Sequence, residues 1–557
     1  MTHGQISNRT AVVVLIALVA AVFLPMALMG IPDGFDLLQH MRFATSYEHA
    51  IRIGEIVPKW GGTDNFGFGS IGVRYYPPLP YLIIAIVHIA TGDWYTSFWA
   101  TSFLWILAGT FGVFGWIREN ASNEAALAAA IVYLVIPFHS FEIYQAVLYA
   151  EFAATGLLPF CFLFLTRACR ETRWRDVGLF GLFYALLLLT HIPSALIGTV
   201  GMAVYAVALI EWRRIGEYVV KFTATAIFVA AATAFHFAKA IPELDWVQHN
   251  SPRYFAQGIY DYRSLLFPIY YSAPVLRYIQ KALWTLDFVT TLTLVVFVVG
   301  AVALGRSAWK QRERRRVLIA MMVTAIVSIF FLSIASAKVW DALPTLQKTQ
   351  FPWRWLELTS LMTAALTGIA IPRLLFRDGR IWRPVAYSLL AVMVVVCLFD
   401  VSQLVIPSSP LSRTEFQQKI DGMNDEEACD CWWPIWAKRE AYVDKTASAE
   451  DRSTEITSRS DEHLTISVAA GPPAALRIPV FYHPYWQASV DGSPVDALPD
   501  ANGAISVPLS ADTAVVALNF TEPGYLAPLR YLALLAWLAA VAFVIWRFVL
   551  FRTRVAR

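Results

Sequence analysis

Long apolar runs recur along the whole chain and constrain its fold more than any other feature. Residues 11–31, 97–117, 219–241, 285–304, 317–336, 355–373, 384–406 and 526–549 are each predominantly apolar, with shorter runs between them. A bilayer core about 30 Å thick takes roughly 20 apolar residues of helix. The chain therefore reads as an α-helical polytopic membrane protein. Composition agrees, since 57% of the 557 residues are hydrophobic and 15% are charged. The net charge of +3 leaves no global basic field of the kind that attracts nucleic acid. The first run is too long for a signal peptide and lacks a small-residue cleavage site, so it is expected to remain as an anchor.

Lys and Arg cluster at 167–175, 213–221, 306–316, 373–383 and 547–557, and such clusters mark the cytoplasmic side. The spans between them alternate if 176–191 and 194–211 are two helices meeting at His191-Ile192-Pro193, because proline ends or breaks a helical ladder. The run 77–91 opens with Pro77-Pro78 and would measure about 22 Å as a helix, too short to cross comfortably. It is expected to lie as a juxtamembrane or re-entrant helix. The result is about twelve crossings with both termini cytoplasmic, and external loops at 32–96, 139–150, 242–284 and 337–354 within a transmembrane module 1–407. Residues 408–525 follow as an extracytoplasmic domain, and 526–557 as the last crossing and a basic tail.

From about 463 onward, His463-Leu-Thr-Ile-Ser-Val, Ile505-Ser-Val-Pro-Leu and Ala514-Val-Val-Ala-Leu-Asn-Phe alternate like strands, and Asp491-Gly492 is a hairpin signal. A small β-sandwich is expected there, and an ordered polar and aromatic loop near the headgroups over 408–460. Cys161, Cys169 and Cys397 sit in or beside apolar runs as small hydrophobes. Cys429 and Cys431 form a C-x-C for which a disulfide, a metal contact or neither remains open. No long internal repeat is visible, so an inverted-repeat transporter finds no support.

The chemistry-bearing residues gather in the external segments. Asp33-Gly-Phe-Asp36-Leu-Leu-Gln-His40-Met-Arg42 follows the first run, and a helix starting at 36 would put Asp36 and His40 on one face. A partly desolvated carboxylate beside a His suits proton abstraction from a hydroxyl; the alternative is that Asp36 caps the helix. The loop continues through Arg74, Tyr75 and Tyr76, a Gly-, Pro- and aromatic-rich path that suits sugar stacking; the alternative is an interfacial belt. Glu151 stands at the mouth of the next apolar run, where a carboxylate is costly and tends to be functional. It would orient an acceptor, assist Asp36 or join it on a divalent cation, or simply sit in interfacial water. His191 lies at the same depth, as a ligand contact or a helix cap. Lys348, Gln350 and Arg354 lie in an external segment against the charge trend, and a lipid phosphate would account for the two cations. Ordinary phospholipid headgroups would attract them too.

Together Asp36-x-x-x-His40, Gly54-x-x-x-Pro58-x-Trp60, Gly67-x-Gly69, Tyr75-Tyr76-Pro-Pro-Leu-Pro and Leu343-Pro-x-Leu-Gln-x-x-Gln350-Phe-Pro-Trp-Arg354 resemble a bacterial membrane-protein family labelled as related to pyruvoyl-tetrahydropterin synthase. The layout is also similar to YfhO-type proteins and, more distantly, to type C (GT-C) glycosyltransferases such as aminoarabinose transferases and protein mannosyltransferases. Tyr482-His-Pro-Tyr-Trp486-x-Ala-x-Val-Asp491-Gly492 looks like the extracytoplasmic β-domain of YfhO-type proteins. The resemblance implies an acidic catalytic residue in the first external loop, which maps onto Asp36, and a polyprenyl-phosphate sugar donor whose phosphate is held by external cations, here Arg354 and Lys348. No Asp-Glu or Asp-x-Asp pair stands at Asp36, so a divalent cation is not required by this pattern.

The expectation is an inverting glycosyltransferase of the bacterial inner membrane. It would act on the periplasmic side, transferring a sugar from a polyprenyl-phosphate donor to a glycan, lipid or protein of the cell envelope, with Asp36, His40 and Glu151 at the reacting centre. Its rivals are a lipid or polysaccharide transporter lined by the same charges, and a non-catalytic envelope-assembly protein that binds polymer through the β-domain.

Overall fold

The computed structural model describes residues 6–255, 261–264, 266–267, 312–375, 388, 395, 399, 401–402, 405–406 and 408–555. The expected crossing 285–304, most of 384–406, Cys397, most of the loop 242–284 beyond residue 255, and most of the basic clusters 306–316 and 373–383 lie outside them. Seven described helical segments are long and apolar enough to cross a membrane: Trp94–Arg118, Asn123–Ala146, Tyr149–Glu171, Ile192–Leu209, Trp212–Trp246, Glu313–Leu332 and Leu526–Trp546.

Three local features depart from or refine the sequence reading. The first apolar run is two helices, Asn8–Val22 and Leu24–Met29, because Pro25 supplies no N–H to continue the ladder. The run at 77–91 is the 13-residue helix Leu79–Thr91, closed by Gly92 in the left-handed region at φ +67°. Residues 139–150 are ordered and packed inside the protein: Pro137–Phe141 is helical, Glu142–Ala146 forms a π-helical turn, and Glu142 is 0% exposed.

The chain divides into two compact units. The first comprises Met1–Leu37, Asp93–Ala230 and Ile259–Thr414. Its helices Trp94–Arg118 and Tyr149–Glu171 touch backbone to backbone, since a Cβ on Gly109 would come within 2.8 Å of the Thr155 carbonyl oxygen. Small residues permit such approach between apolar helices. Tyr149 donates to Thr101 Oγ1 at 2.7 Å across the same interface. Two short strands, β1 (Ile31–Pro32) and β2 (Pro410–Leu411), pair antiparallel and tie the start of this unit to its end.

The second unit comprises Leu38–Gly92, Ala231–Gly258 and Glu415–Arg557. Its β-rich part holds β3 (Thr454–Arg459), β4 (His463–Val468), β5 (Ala474–Phe481), β6 (Trp486–Val490), β7 (Ser493–Val495), β8 (Leu498–Pro499), β9 (Ala504–Leu509) and β10 (Ala514–Phe520). They form antiparallel sheets of order β3-β4-β10-β6-β7 and β5-β9-β8. Alternate residues such as Leu464, Ile466 and Val468 are buried, as period-2 patterning requires. Asp491 and Gly492 both take positive φ in the tight turn between β6 and β7, the geometry an Asp-Gly hairpin favours. The aromatic path of the first loop packs here: Trp60 lies 5.6 Å from Trp486 between ring centroids, and Phe481 N donates to the Phe68 carbonyl. Cys429 and Cys431 are joined as a disulfide.

Candidate active site

The carboxylates and the arginine of the first unit converge from several elements. The turn after β1 carries Asp36, anchored by Asp33 N donating to Ser409 O at 2.9 Å and Asp36 N donating to Ala146 O at 3.3 Å. This turn lies against the chain at 146–147, where a Cβ on Gly34 would come within 2.3 Å of the Val147 side chain. The helix that follows begins at Leu37, one residue later than the sequence reading placed it. The helix Tyr149–Glu171 presents Glu151 in its first turn. The short turn Pro352–Arg354 and the helix Trp355–Leu375 present Arg354 and Glu357.

Arg354 Nε donates to Glu151 Oε2 at 2.7 Å, with side chains 6% and 1% exposed. Its Nη1 donates to Thr349 O at 3.2 Å and to Gln350 Oε1, and the Phe351 ring lies 5.1 Å from the guanidinium. Around this one cation stand four acids. Glu142 lies within electrostatic reach of Glu151, Glu357 and Arg354, and Glu357 within reach of Glu151 and Arg354 with Ser194 beside it. Burial pushes the Asp36 carboxyl up to about 7; Arg354 pulls it down against that rise, and Glu151 adds to it. Glu142, Glu151 and Glu357 are 0–2% exposed, whereas Asp36 keeps partial solvent access.

Among the described residues no hydrogen bond reaches either oxygen of Glu142, Oε1 of Glu151, or either nitrogen of His139. His139 Nδ1 is 3.9 Å from Glu142 Oε2. Buried polar groups are usually satisfied, so this concentration marks a place where something else is handled. Two strained backbone positions flank it: Val147 at φ +52° and Gln350 at φ +65°. A β-branched residue in the left-handed region is held there only by its surroundings, and such strain clusters at functional sites. No group of three or more His, Cys, Asp or Glu placed to hold a metal ion occurs among the described residues.

Of the residues singled out from sequence, Asp36, Glu151, Gln350 and Arg354 belong to this cluster. Lys348 is exposed at the end of the turn Pro344–Gln347. His191 caps the helix Ile192–Leu209, its Nδ1 accepting from Ser194 N at 3.4 Å and lying 2.9 Å from Ser194 Oγ.

The other four belong to the second unit. His40 Nδ1 is 2.7 Å from the Tyr81 hydroxyl. Arg74 and Tyr75, expected on a substrate-facing path, are buried. Arg74 binds Glu243 through Nε at 2.8 Å and Nη2 at 2.7 Å, and Glu522 through Nη1 at 2.6 Å. Tyr75 donates to Glu243 O at 2.7 Å, and Tyr76 packs against Phe43 and Trp432. These residues face acids and aromatics of their own unit, far away in sequence, which a local reading cannot supply. Glu357 and Glu142 were the residues missed as site members. The available signal was the cost of a carboxylate in an apolar run, which Glu357 breaks two residues after Trp355.

The family described as "6-pyruvoyl-tetrahydropterin synthase related domain; membrane protein" matches residues 73–407, more than half of the chain. No curated protein matches it. Among solved structures, the chain is similar to ArnT from Cupriavidus metallidurans bound to undecaprenyl phosphate, at 12% identity and a TM-score of 0.42 over 75% of this chain and 76% of that one. It is similar to the arabinofuranosyltransferase AftD from Mycobacteria at 15% identity and a TM-score of 0.46, over 74% of this chain but only 27% of that one. The Archaeoglobus fulgidus oligosaccharyltransferase matches at 12% identity and a TM-score of 0.43, over 72% and 54%.

Proposed function

The chain belongs to the 6-pyruvoyl-tetrahydropterin synthase related family of membrane proteins, and on that premise we propose that it is an inverting glycosyltransferase. It moves a sugar from a polyprenyl-phosphate donor to an envelope glycan, lipid or protein on the outer face of the inner membrane. The observation that carries this reading is a partly accessible carboxyl with its pKa near 7, Asp36, in one cluster with the buried pair Arg354–Glu151. Such a displacement needs one group to take a proton and another to meet a phosphate's charge.

Asp36 as carboxylate accepts the proton of an acceptor hydroxyl. The hydroxyl oxygen forms a bond to the anomeric carbon as the carbon–oxygen bond to phosphate breaks, and polyprenyl phosphate leaves with the bonding pair. Attack opposite the leaving group inverts the anomeric centre. Arg354 meets the charge of the departing phosphate, with Glu151 and Gln350 holding its guanidinium in place. Support for the outer face comes from the Cys429–Cys431 disulfide, since such bonds persist in oxidising compartments.

The test is sugar release from a library of polyprenyl-phosphate sugars by the full chain in nanodiscs. Donor-dependent release should fall about 100-fold or more in Asp36→Asn, at unchanged folding. One observation favours a second reading, transport of a lipid or polysaccharide: Glu142, Glu151 and Glu357 are buried acids in apolar helical segments. Release from no donor by folded protein would turn the assignment to that reading.

A further inference from the structure

The second unit holds an ionic cluster with a different balance. Arg74, on the turn Gly72–Tyr75, binds both Glu243 and Glu522, and Arg530, in the helix Leu526–Val555, binds Glu522. Lys239, in the last turn of the helix Ile215–Ala240, is the third cation. The two helices are tied together by Trp537 Nε1 donating to Ala232 O at 3.0 Å. Three cations therefore meet two carboxylates, and both carboxylates are already engaged by arginine.

Lys239 is 1% exposed, yet its ammonium makes no hydrogen bond or ion pair among the described residues. It nonetheless faces the cluster: burial raises the Glu522 carboxyl, but Lys239, Arg74 and Arg530 outweigh it and bring it to about 2. Burying an ammonium without a direct ion pair is expensive. The cluster opens at Arg530, whose side chain is 41% exposed. Tyr525 and Tyr531 are exposed beside it, as aromatics are at headgroup level.

We propose that Lys239 and Arg530, backed by Arg74, form a binding site for a phosphate-bearing anion, presented by the headgroup of an anionic membrane lipid. A lysine ammonium and an arginine fork are complementary donors for phosphate oxygens, and a bound phosphate supplies the negative charge the cluster lacks. The site is independent of the transfer reaction, so either assignment can fail while the other stands.

The test titrates the delipidated full-length protein with short-chain phosphatidylglycerol and, separately, with inorganic phosphate, following tryptophan fluorescence and thermal stability. Wild type should be stabilised by the lipid. Lys239→Met should bind it about 10-fold more weakly, which is about one factor of ten in Kd, and Lys239→Arg should restore binding. Stabilisation by inorganic phosphate to the same degree assigns a free anion; stabilisation by lipid alone assigns the headgroup. If Lys239→Met does not accumulate, Arg530→Gln is read in its place, with weakened binding expected. No response of the wild type to either probe, or equal binding by wild type and variant, overturns the site.

Discussion

Two buried arginines make the instructive comparison. Arg74 in the second unit is 0% exposed and its guanidinium is spread over Glu243, Glu522 and the Lys59 carbonyl. Each of its acids lies within salt-bridge distance, and the excess charge in that cluster is positive. Arg354 in the first unit is also buried, and among the described residues Glu151 and Gln350 hold it through their side chains, while Asp36, Glu142 and Glu357 stand around it. Arg74 donates from Nε, Nη1 and Nη2 to partners in its own unit and behaves as a structural clamp, whereas among the described residues Arg354 donates from Nε and Nη1. The same residue type at similar burial therefore serves different ends, and the partners decide which.

The largest effect should come from breaking the clamp. Arg74→Met leaves buried Glu243 without its ion-pair partner and Glu522 with Arg530 alone, and loss of one partner of a buried pair costs about 3–5 kcal/mol. A large drop in melting temperature in detergent, or failure to accumulate, is expected. A melting temperature like that of the wild type would show that the two arginines do not differ as described.

Next comes the pH response of the proposed transfer. With its folded pKa at about 7, Asp36 is a competent base only above that value, so the rate should rise through pH 7 and level off. The same raised pKa means that the folded state binds the proton more tightly than the unfolded chain. The stability from this group is thus full below the ordinary carboxylate value of 3.8 and is lost as pH rises through about 7. A rate profile flat from pH 5.5 to 8.5 would remove Asp36 from the proton transfer.

Gly34→Ala drives a methyl into Val147 and should cost about 1–3 kcal/mol in thermal stability, as overpacking does. Activity should fall along with it, because the Asp36 turn is displaced. Unaltered melting and activity would show that the turn tolerates the shift. The smallest effect is expected from His191→Ala, which removes a helix cap worth about 1 kcal/mol. A loss of activity far beyond its loss of stability would return His191 to the site.

Much of the fold was legible because its signals are local. Apolar length identified the membrane helices, Pro193 separated Trp174–Leu188 from Ile192–Leu209, and alternation with Asp491-Gly492 marked the strands. Asp36, Glu151 and Arg354 were legible as polar residues beside apolar runs. Their company was not: Glu357 reads in sequence as an isolated acid near the start of a helix, and Glu142 as part of an external segment. Arg74 carried the same sequence signature as Arg354, a cation in a Pro- and aromatic-rich external segment, and only its partners separate them.

The sequence by itself determined which segments are apolar enough for a membrane, where helices must break, and which residue types carry charge next to them. These depend on near neighbours, on a proline's missing donor or the cost of solvating a side chain, and so on spacings of a few residues. Tertiary structure alone decided which charges are spent. Arg74 meets Glu243 and Glu522 across 169 and 448 positions of chain, and Arg354 meets Glu151 across 203. Electrostatic interaction falls with distance in space and deepens with burial, and neither quantity is carried by the order of residues along the chain.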